Sequence, residues 1–412
     1  MGPSLPAGRR WRTIAPRTGL PSQSSASMRL ECSGSANSRP AVARPLRIAI
    51  LSPYLPRVGR KSGGVAQVAH DLGDGLARRG HEVTVWSFDP KPRNAAYRLR
   101  TLPWKGFATS RLGRFATEGY LGNLVSLLPG YREAEVIVAM GDSLLLPLLG
   151  KPVVRVMHGS ALGEALTAAS PLRFISQIGI YPQELLTAVT QRFCVGVSQN
   201  TRRYNPFVRR IIPNGVDLSV FHPDAQGKTP QPSILFVGTL EGRKRGQILL
   251  DCFVRDVRPR FPTASLMMVS PPGPEVPGVT YCTGISREEL AGLYRRSWVY
   301  ASPSSYEGFG LPYLEAMASG TPVIASPNPG SREVLEGGRW GIIVEDASFG
   351  DALVRLLGDV EACGELAKRG LERARAYSLD RMVDAYEALL LEACAGVPAR
   401  VGPGVKTCSL EG

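Results

Sequence analysis

In the stretch SSYEGFGLPYLEAMASG, Glu307 and Glu315 stand eight positions apart with Gly308-Phe309-Gly310 and Pro312 between them. The preceding WVYASPS (298–304) reads as a buried strand and LPYLEAMASG as a helix, with Pro312 suited to its first turn and Gly320 to its stop. A turn from strand end to helix start presents unpaired backbone N–H groups and the positive end of the helix dipole, which together attract phosphate. Gly308 and Gly310 let a ligand approach the backbone. Two acids beside a phosphate repel it unless they hold something else, and hydroxyls are the natural partners. Glu307 in the turn would meet a sugar, and Glu315, one turn into the helix, a ribose diol. A metal pair is the competing chemistry, but the sequence contains no DxD. The plainer alternative is an ordinary helix start with two surface acids. The spacing alone is a weak signal; with GFG inside it and GTPVIA after it, it is strong.

These residues need a frame, and the rest of the chain supplies one. From residue 46, short apolar runs alternate with amphipathic stretches. LRIAILS (46–52) has the continuous apolar character of a buried parallel strand, while Val65, Val68, Ala69, Leu72 and Leu76 recur at helical spacing in the next segment. EVIVAMG (135–141), PVVRVMHG (152–159) and FCVGVS (193–198) continue the alternation. At 211–233 the chain turns to Pro, Gly, Asn and Asp, as a linker would, and then ILFVGT, ASLMMVS, VTYCTG and WVYASPS repeat the pattern. The expected fold class is α/β: two doubly wound, Rossmann-like halves facing a central cleft, with ligands at the carboxyl ends of strands. The expected boundaries are a tail at 1–45, a first domain at 46–212, a linker at 213–232, a second domain at 233–396, and a Gly/Pro-rich disordered tail at 397–412. The first 45 residues are rich in Ser, Pro, Gly and Arg and lack a signal-peptide apolar core. They are expected to be disordered, or to precede a native start at Met28.

The chain has 412 residues, 43% hydrophobic and 20% charged, too long for one ordinary core and with no membrane-spanning apolar run. Its seven scattered cysteines, with no CxxC, suggest reduced thiols in a cytoplasmic protein and no zinc site. The net charge of +14 is partly local: seven basic residues and no acid lie between Lys91 and Arg114, among Tyr97, Trp104 and Phe107. That stretch is either a solvated loop region or a surface (91–115) for peripheral contact with an anionic membrane or a phosphorylated acceptor. No helix-turn-helix, zinc-finger or RNP pattern supports nucleic acid as a partner.

The Glu307–Glu315 stretch resembles the E-x7-E signature of the retaining, GT-B-fold glycosyltransferases, most closely glycosyltransferase family 4, and the resemblance extends over roughly residues 46–395. It implies that Glu307 contacts the donor sugar, that Glu315 holds the nucleotide ribose, and that the turn through Phe309 delivers the Gly310 and Leu311 amides to sugar and phosphate. It also implies that Gly63 and Gly64 form a glycine loop near the diphosphate and that His158, at a strand end, is a cleft histidine. A satisfied core histidine is the competing reading of His158. The family's phosphate-binding cation falls in VGTLEGRKRGQ (237–247), where Thr239 replaces a common arginine. Ungapped spacing favours Arg245 for that role and residue type favours Lys244; either cation could stabilise a leaving diphosphate.

The resemblance further implies retention of the donor's anomeric configuration, and no metal or other cofactor. The nucleoside-diphosphate sugar (UDP- or GDP-linked) is then substrate, and the acceptor is a glycan, a lipid-linked saccharide or a small molecule. Two rival readings stay open: a nucleotide-sugar epimerase of the same fold, and a catalytically weak scaffold that binds a membrane or a partner.

Overall fold

The computed structural model describes residues 44–57, 63–102, 131, 133–141, 143–168, 170–224 and 227–395. The expected tails, and the part of the basic stretch from 103 to 115, lie outside these residues apart from Arg44 and Pro45.

The first half is a seven-stranded sheet of β1 (Arg47–Leu51), β2 (Glu82–Ser87), β3 (Arg98–Thr101), β4 (Val136–Ala139), β5 (Val153–Met157), β6 (Phe193–Gly196) and β7 (Arg210–Ile211). Its spatial order is β3-β2-β1-β4-β5-β6-β7, with every pairing parallel. The second half repeats the scheme with β8 (Ser233–Val237), β9 (Ser265–Val269), β10 (Val279–Cys282), β11 (Val299–Ser302), β12 (Val323–Ala325) and β13 (Ile342–Ile343), in the order β10-β9-β8-β11-β12-β13. In each sheet the chain leaves its first strand on one side and returns on the other. That reversal opens a crevice at the strands' carboxyl ends, next to β1 and next to β8.

Helices cover both faces of the sheets, so the central strands are largely apolar on both sides: Ile48 and Ile50 point into one layer of core, and Ala49 and Leu51 into another. On α1 (Gly64–Arg78), Val68, Ala69, Leu72 and Leu76 are buried. Each large aliphatic side chain so buried contributes about 1.5–3 kcal/mol. Val65 shares their spacing yet is 38% exposed, because it lies in the wall of the cleft.

The last helix, α11 (Leu379–Ala395), departs from the sequence-based boundaries. Chain order groups it with the second half, but it packs on α1, β4 and β5 of the first. Ion pairs fix it there: Arg79 to Glu387 at 2.6 Å and Arg210 to Glu392 at 2.5 Å. His81 Nδ1 accepts from the Leu46 amide at 3.1 Å, which leaves Nε2 to carry the proton and donate to Glu387 at 3.1 Å.

The crossing is pinned to the linker by two backbone hydrogen bonds of 2.8 Å, from the Val216 amide to the Tyr377 carbonyl and from the Leu379 amide to the Val216 carbonyl. Gly215 makes the approach feasible, since a Cβ there would stand 2.6 Å from Leu379 Cα and 2.8 Å from the Ser378 carbonyl. Those neighbours are backbone and cannot rotate away. Gly215→Ala is expected to lower unfolding free energy by about 1–3 kcal/mol, read as an earlier urea midpoint.

Candidate active site

The strand ends meet around a cavity of about 1480 Å³ between the two halves. Its walls include Gly63, Gly64, His158, Lys244, Glu307, Gly308, Phe309, Gly310, Leu311 and Glu315. Of the candidate catalytic and donor-binding residues named from the sequence, Arg245 alone is absent from that wall.

The glycine turn leaves β11 and enters α7 (Leu311–Ala318) through Gly310, whose φ of +105° is a conformation side-chain-bearing residues rarely adopt. Pro312 sits in the first turn of α7, where a missing N–H costs nothing. Asn328 braces the turn from behind, its Nδ2 donating to the Ser304 carbonyl at 3.0 Å and the Tyr313 hydroxyl at 3.0 Å. Gly308 abuts the His158 carbonyl, and Gly64 faces Leu311. The glycine elements of the two halves therefore oppose each other across the cavity.

Glu307 is 6% exposed. Lys244 Nζ donates to its Oε1 at 2.5 Å and Arg243 Nη1 to its Oε2 at 3.1 Å, while the same Arg243 atom donates to the Tyr306 carbonyl at 2.8 Å. Burial pushes the carboxyl up, but Lys244 and Arg243 outweigh it and hold Glu307 below the usual carboxylate range. The site thus has a fixed anion with two cations against it.

The three consecutive basic residues diverge because of local geometry. Gly242–Lys244 form a 3₁₀ turn after β8, and Arg245 takes a left-handed conformation (φ +49°) before α5 (Gly246–Cys252) begins. Arg245 is thereby turned away, donating to the Pro303 carbonyl at 2.7 Å and to both Asp346 oxygens at 2.7 and 3.0 Å. The structure places Lys244 in the cleft wall and Arg245 behind it, paired with Asp346. Arg243, which the sequence reading missed, joins Lys244; an uninterrupted basic triplet was its only signal.

Glu315 lies on α7 facing α6 (Arg287–Arg296), where the Tyr294 hydroxyl donates to its Oε2 at 3.2 Å. Burial raises this carboxyl above its ordinary value, with Arg287 and the Tyr294 hydroxyl opposing. The two glutamates thus sit in different electrostatic surroundings: cations hold the Glu307 carboxyl below its ordinary range, and burial holds that of Glu315 above it.

His158 follows β5, and its Nε2 has no hydrogen-bond partner among the described residues. Burial first, and then the charge of Arg155, lower its pKa to about 4. The unfolded chain's histidine ionises near its ordinary value of 6.5 and takes up a proton that the folded chain refuses until about pH 4. Its contribution to stability is therefore fully present above pH 6.5 and lost as pH falls toward 4. The loss should amount to about 3 kcal/mol. His158→Asn is expected to flatten that part of the stability–pH curve, checked by urea melts at several pH values.

Comparison with known proteins gives concordant matches. A family model described as "Glycosyltransferase Family 4" matches residues 62–220, and one described as "Glycosyl transferases group 1" matches 231–359. D-inositol 3-phosphate glycosyltransferase of Corynebacterium efficiens is 25% identical over 422 residues, covering 86% of this chain and 98% of that protein. The protein of the same name from Nocardia farcinica is 29% identical over 231 residues, which cover 48% of this chain and 51% of that relative. Among solved structures, sucrose-phosphate synthase from Thermosynechococcus elongatus superposes with a TM-score of 0.70 at 22% identity, covering 85% of this chain and 99% of its own. WaaG, a glycosyltransferase involved in lipopolysaccharide biosynthesis, does so with 0.64 at 16%, covering 83% and 99%. These structural likenesses share the two-sheet fold described above.

Proposed function

The chain belongs to glycosyltransferase family 4 and has the GT-B fold, and from this premise we propose that it moves a sugar from a nucleoside diphosphate to a hydroxyl of an anionic acceptor, with retention and without a metal. The observation that carries the proposal is the Lys244–Glu307 pair at the glycine turn. An ammonium has three donors, so Lys244 can keep Glu307 and still reach a diphosphate entering beside it. Arg243 and the Gly310 and Leu311 amides supply further positive charge at the start of α7. Glu307 then faces the sugar, and Glu315 the ribose.

In the reaction, the bond between the anomeric carbon and the phosphate oxygen breaks, and the acceptor oxygen bonds to that carbon from the same face. The acceptor's proton passes to the departing phosphate oxygen, so no carboxylate need act as nucleophile. The protein positions the partners and stabilises the leaving charge. Metal independence is supported by two cations at the place where a diphosphate's counter-ion would stand.

An anionic acceptor is supported by the first half's side of the cavity, where Arg57, Lys91, Arg93 and Arg155 all contribute. The matching relatives carry names that specify an inositol phosphate acceptor. No described helix is long and apolar enough to cross a membrane.

The test is the anomeric configuration of the product, read by proton NMR after incubation of EDTA-treated enzyme with UDP- or GDP-sugars and inositol phosphate. An α-linked product from an α-linked donor is expected. A β-linked product, or activity abolished by EDTA and restored by magnesium, would refute the mechanism. Donor turnover without any acceptor would point to the epimerase reading.

A further inference from the structure

Arg287, the first residue of α6, reaches out of the second half to α1 of the first. Its Nη1 and Nη2 donate to Asp71 Oδ1 and Oδ2 at 2.8 and 2.9 Å, and Gln67 Nε2 also donates to Asp71 at 2.8 Å. Asp71 is 6% exposed and the Arg287 side chain 22%. The linker closes a third side: the guanidinium lies over the Phe221 ring at 5.5 Å, with Nη1 3.9 Å from Asp217 Oδ2. One side chain thus touches both halves and the segment joining them. Two turns further along α6, Tyr294 meets the same Phe221 edge-on at 6.0 Å and donates to Glu315. Arg287 also acts electrostatically on Glu315.

A buried ion pair is a poor device for stability alone, because desolvation offsets its attraction and apolar packing serves as well. What it offers instead is geometry: two parallel hydrogen bonds form at only one separation of the halves. We propose that Asp71–Arg287 is a closure clasp and that Arg287 is a positioning residue for Glu315. With the halves together, Asp71 claims the guanidinium, and Glu315 is held by Tyr294 with its other oxygen available to a ribose diol. With the halves apart, Arg287 loses Asp71, and the wall that carries Phe221, Tyr294 and Glu315 is no longer fixed against the first half. Donor binding and closure then favour one another, as linkage requires. The proposal rests on the reading of Glu315 as the ribose carboxylate.

The experiment compares wild type and Asp71→Asn, which keeps shape and removes charge, by calorimetric titration with UDP and GDP and by initial rates. About a 10-fold loss of nucleoside diphosphate affinity is expected, with donor KM rising alike and kcat changing much less. Asp71→Arg combined with Arg287→Asp restores the pair in reverse and should recover part of the lost affinity, which guards against a folding defect in the single variant. Wild type that binds neither nucleotide would overturn the donor reading and the clasp with it. Wild type that binds, beside an Asp71→Asn variant of unchanged affinity and KM, would overturn the clasp alone. A lowered melting temperature with affinity intact would do the same, since it would mark the pair as structural only.

Discussion

Lys244→Met is expected to lower kcat for sugar transfer by about 10²–10³, while Arg245→Ala leaves turnover within a few-fold. The two residues are adjacent and both basic, so the contrast depends wholly on where the backbone sends them. Lys244 is the cation on Glu307 at 2.5 Å, and its side chain is 14% exposed. Removing it deprives the leaving diphosphate of a desolvated positive charge and leaves Glu307 to Arg243 alone. Loss of one partner from a buried pair also destabilises the fold, by roughly 3 kcal/mol before Arg243 compensates. Lys244→Met with Glu307→Gln should therefore recover stability without recovering activity, which separates the two effects. Arg245 serves Asp346 and the Pro303 carbonyl in a partly exposed setting. Its loss should cost about 1–2 kcal/mol of stability. Initial rates and urea melts of the four proteins measure this directly. Equal losses of turnover at 244 and 245 would contradict the assignment.

Glu307→Ala should reduce kcat/KM by about 10³, and yet bind nucleoside diphosphate at least as tightly as wild type. The carboxylate engages both Lys244 and Arg243, so its removal frees two cations for phosphate. The ground state gains while the sugar loses the group that would orient it. Calorimetry with UDP and GDP beside initial rates with the donor sugar shows both sides. A variant that keeps turnover would point to another catalytic group. Weakened nucleotide binding would show that Glu307 holds the nucleotide rather than the sugar.

The parts of this site that could be read from sequence are those built within a few residues. Glu307, Gly308, Gly310, Pro312 and Glu315 share one strand-turn-helix, so spacing and turn chemistry suffice to place them. The doubly wound halves were legible for a similar reason, since most strands are short apolar runs and many lead into a helix; β3, with its alternating arginines, and the two-residue β7 and β13 carry no such signal. What sequence could not settle depends on distant partners. Arg245 turns away because Asp346, 101 residues on, accepts its guanidinium. Arg287 and Asp71, 216 residues apart, sit in unremarkable helical sequence and meet only when the two halves come together. The last helix carries an amphipathic pattern that fits either half; Gly215, Arg79 and Arg210 decide that it lies on the first. Asn328 reads as a simple helix cap, and its brace behind the glycine turn emerges only from packing.

The most direct measurement follows nucleoside diphosphate release from UDP- and GDP-sugars in EDTA, with and without inositol phosphate, for wild type and Glu307→Ala. The account predicts release from one donor that requires the acceptor, survives chelation and collapses in the variant. Release that ignores the acceptor, or that persists unchanged in Glu307→Ala, would contradict it.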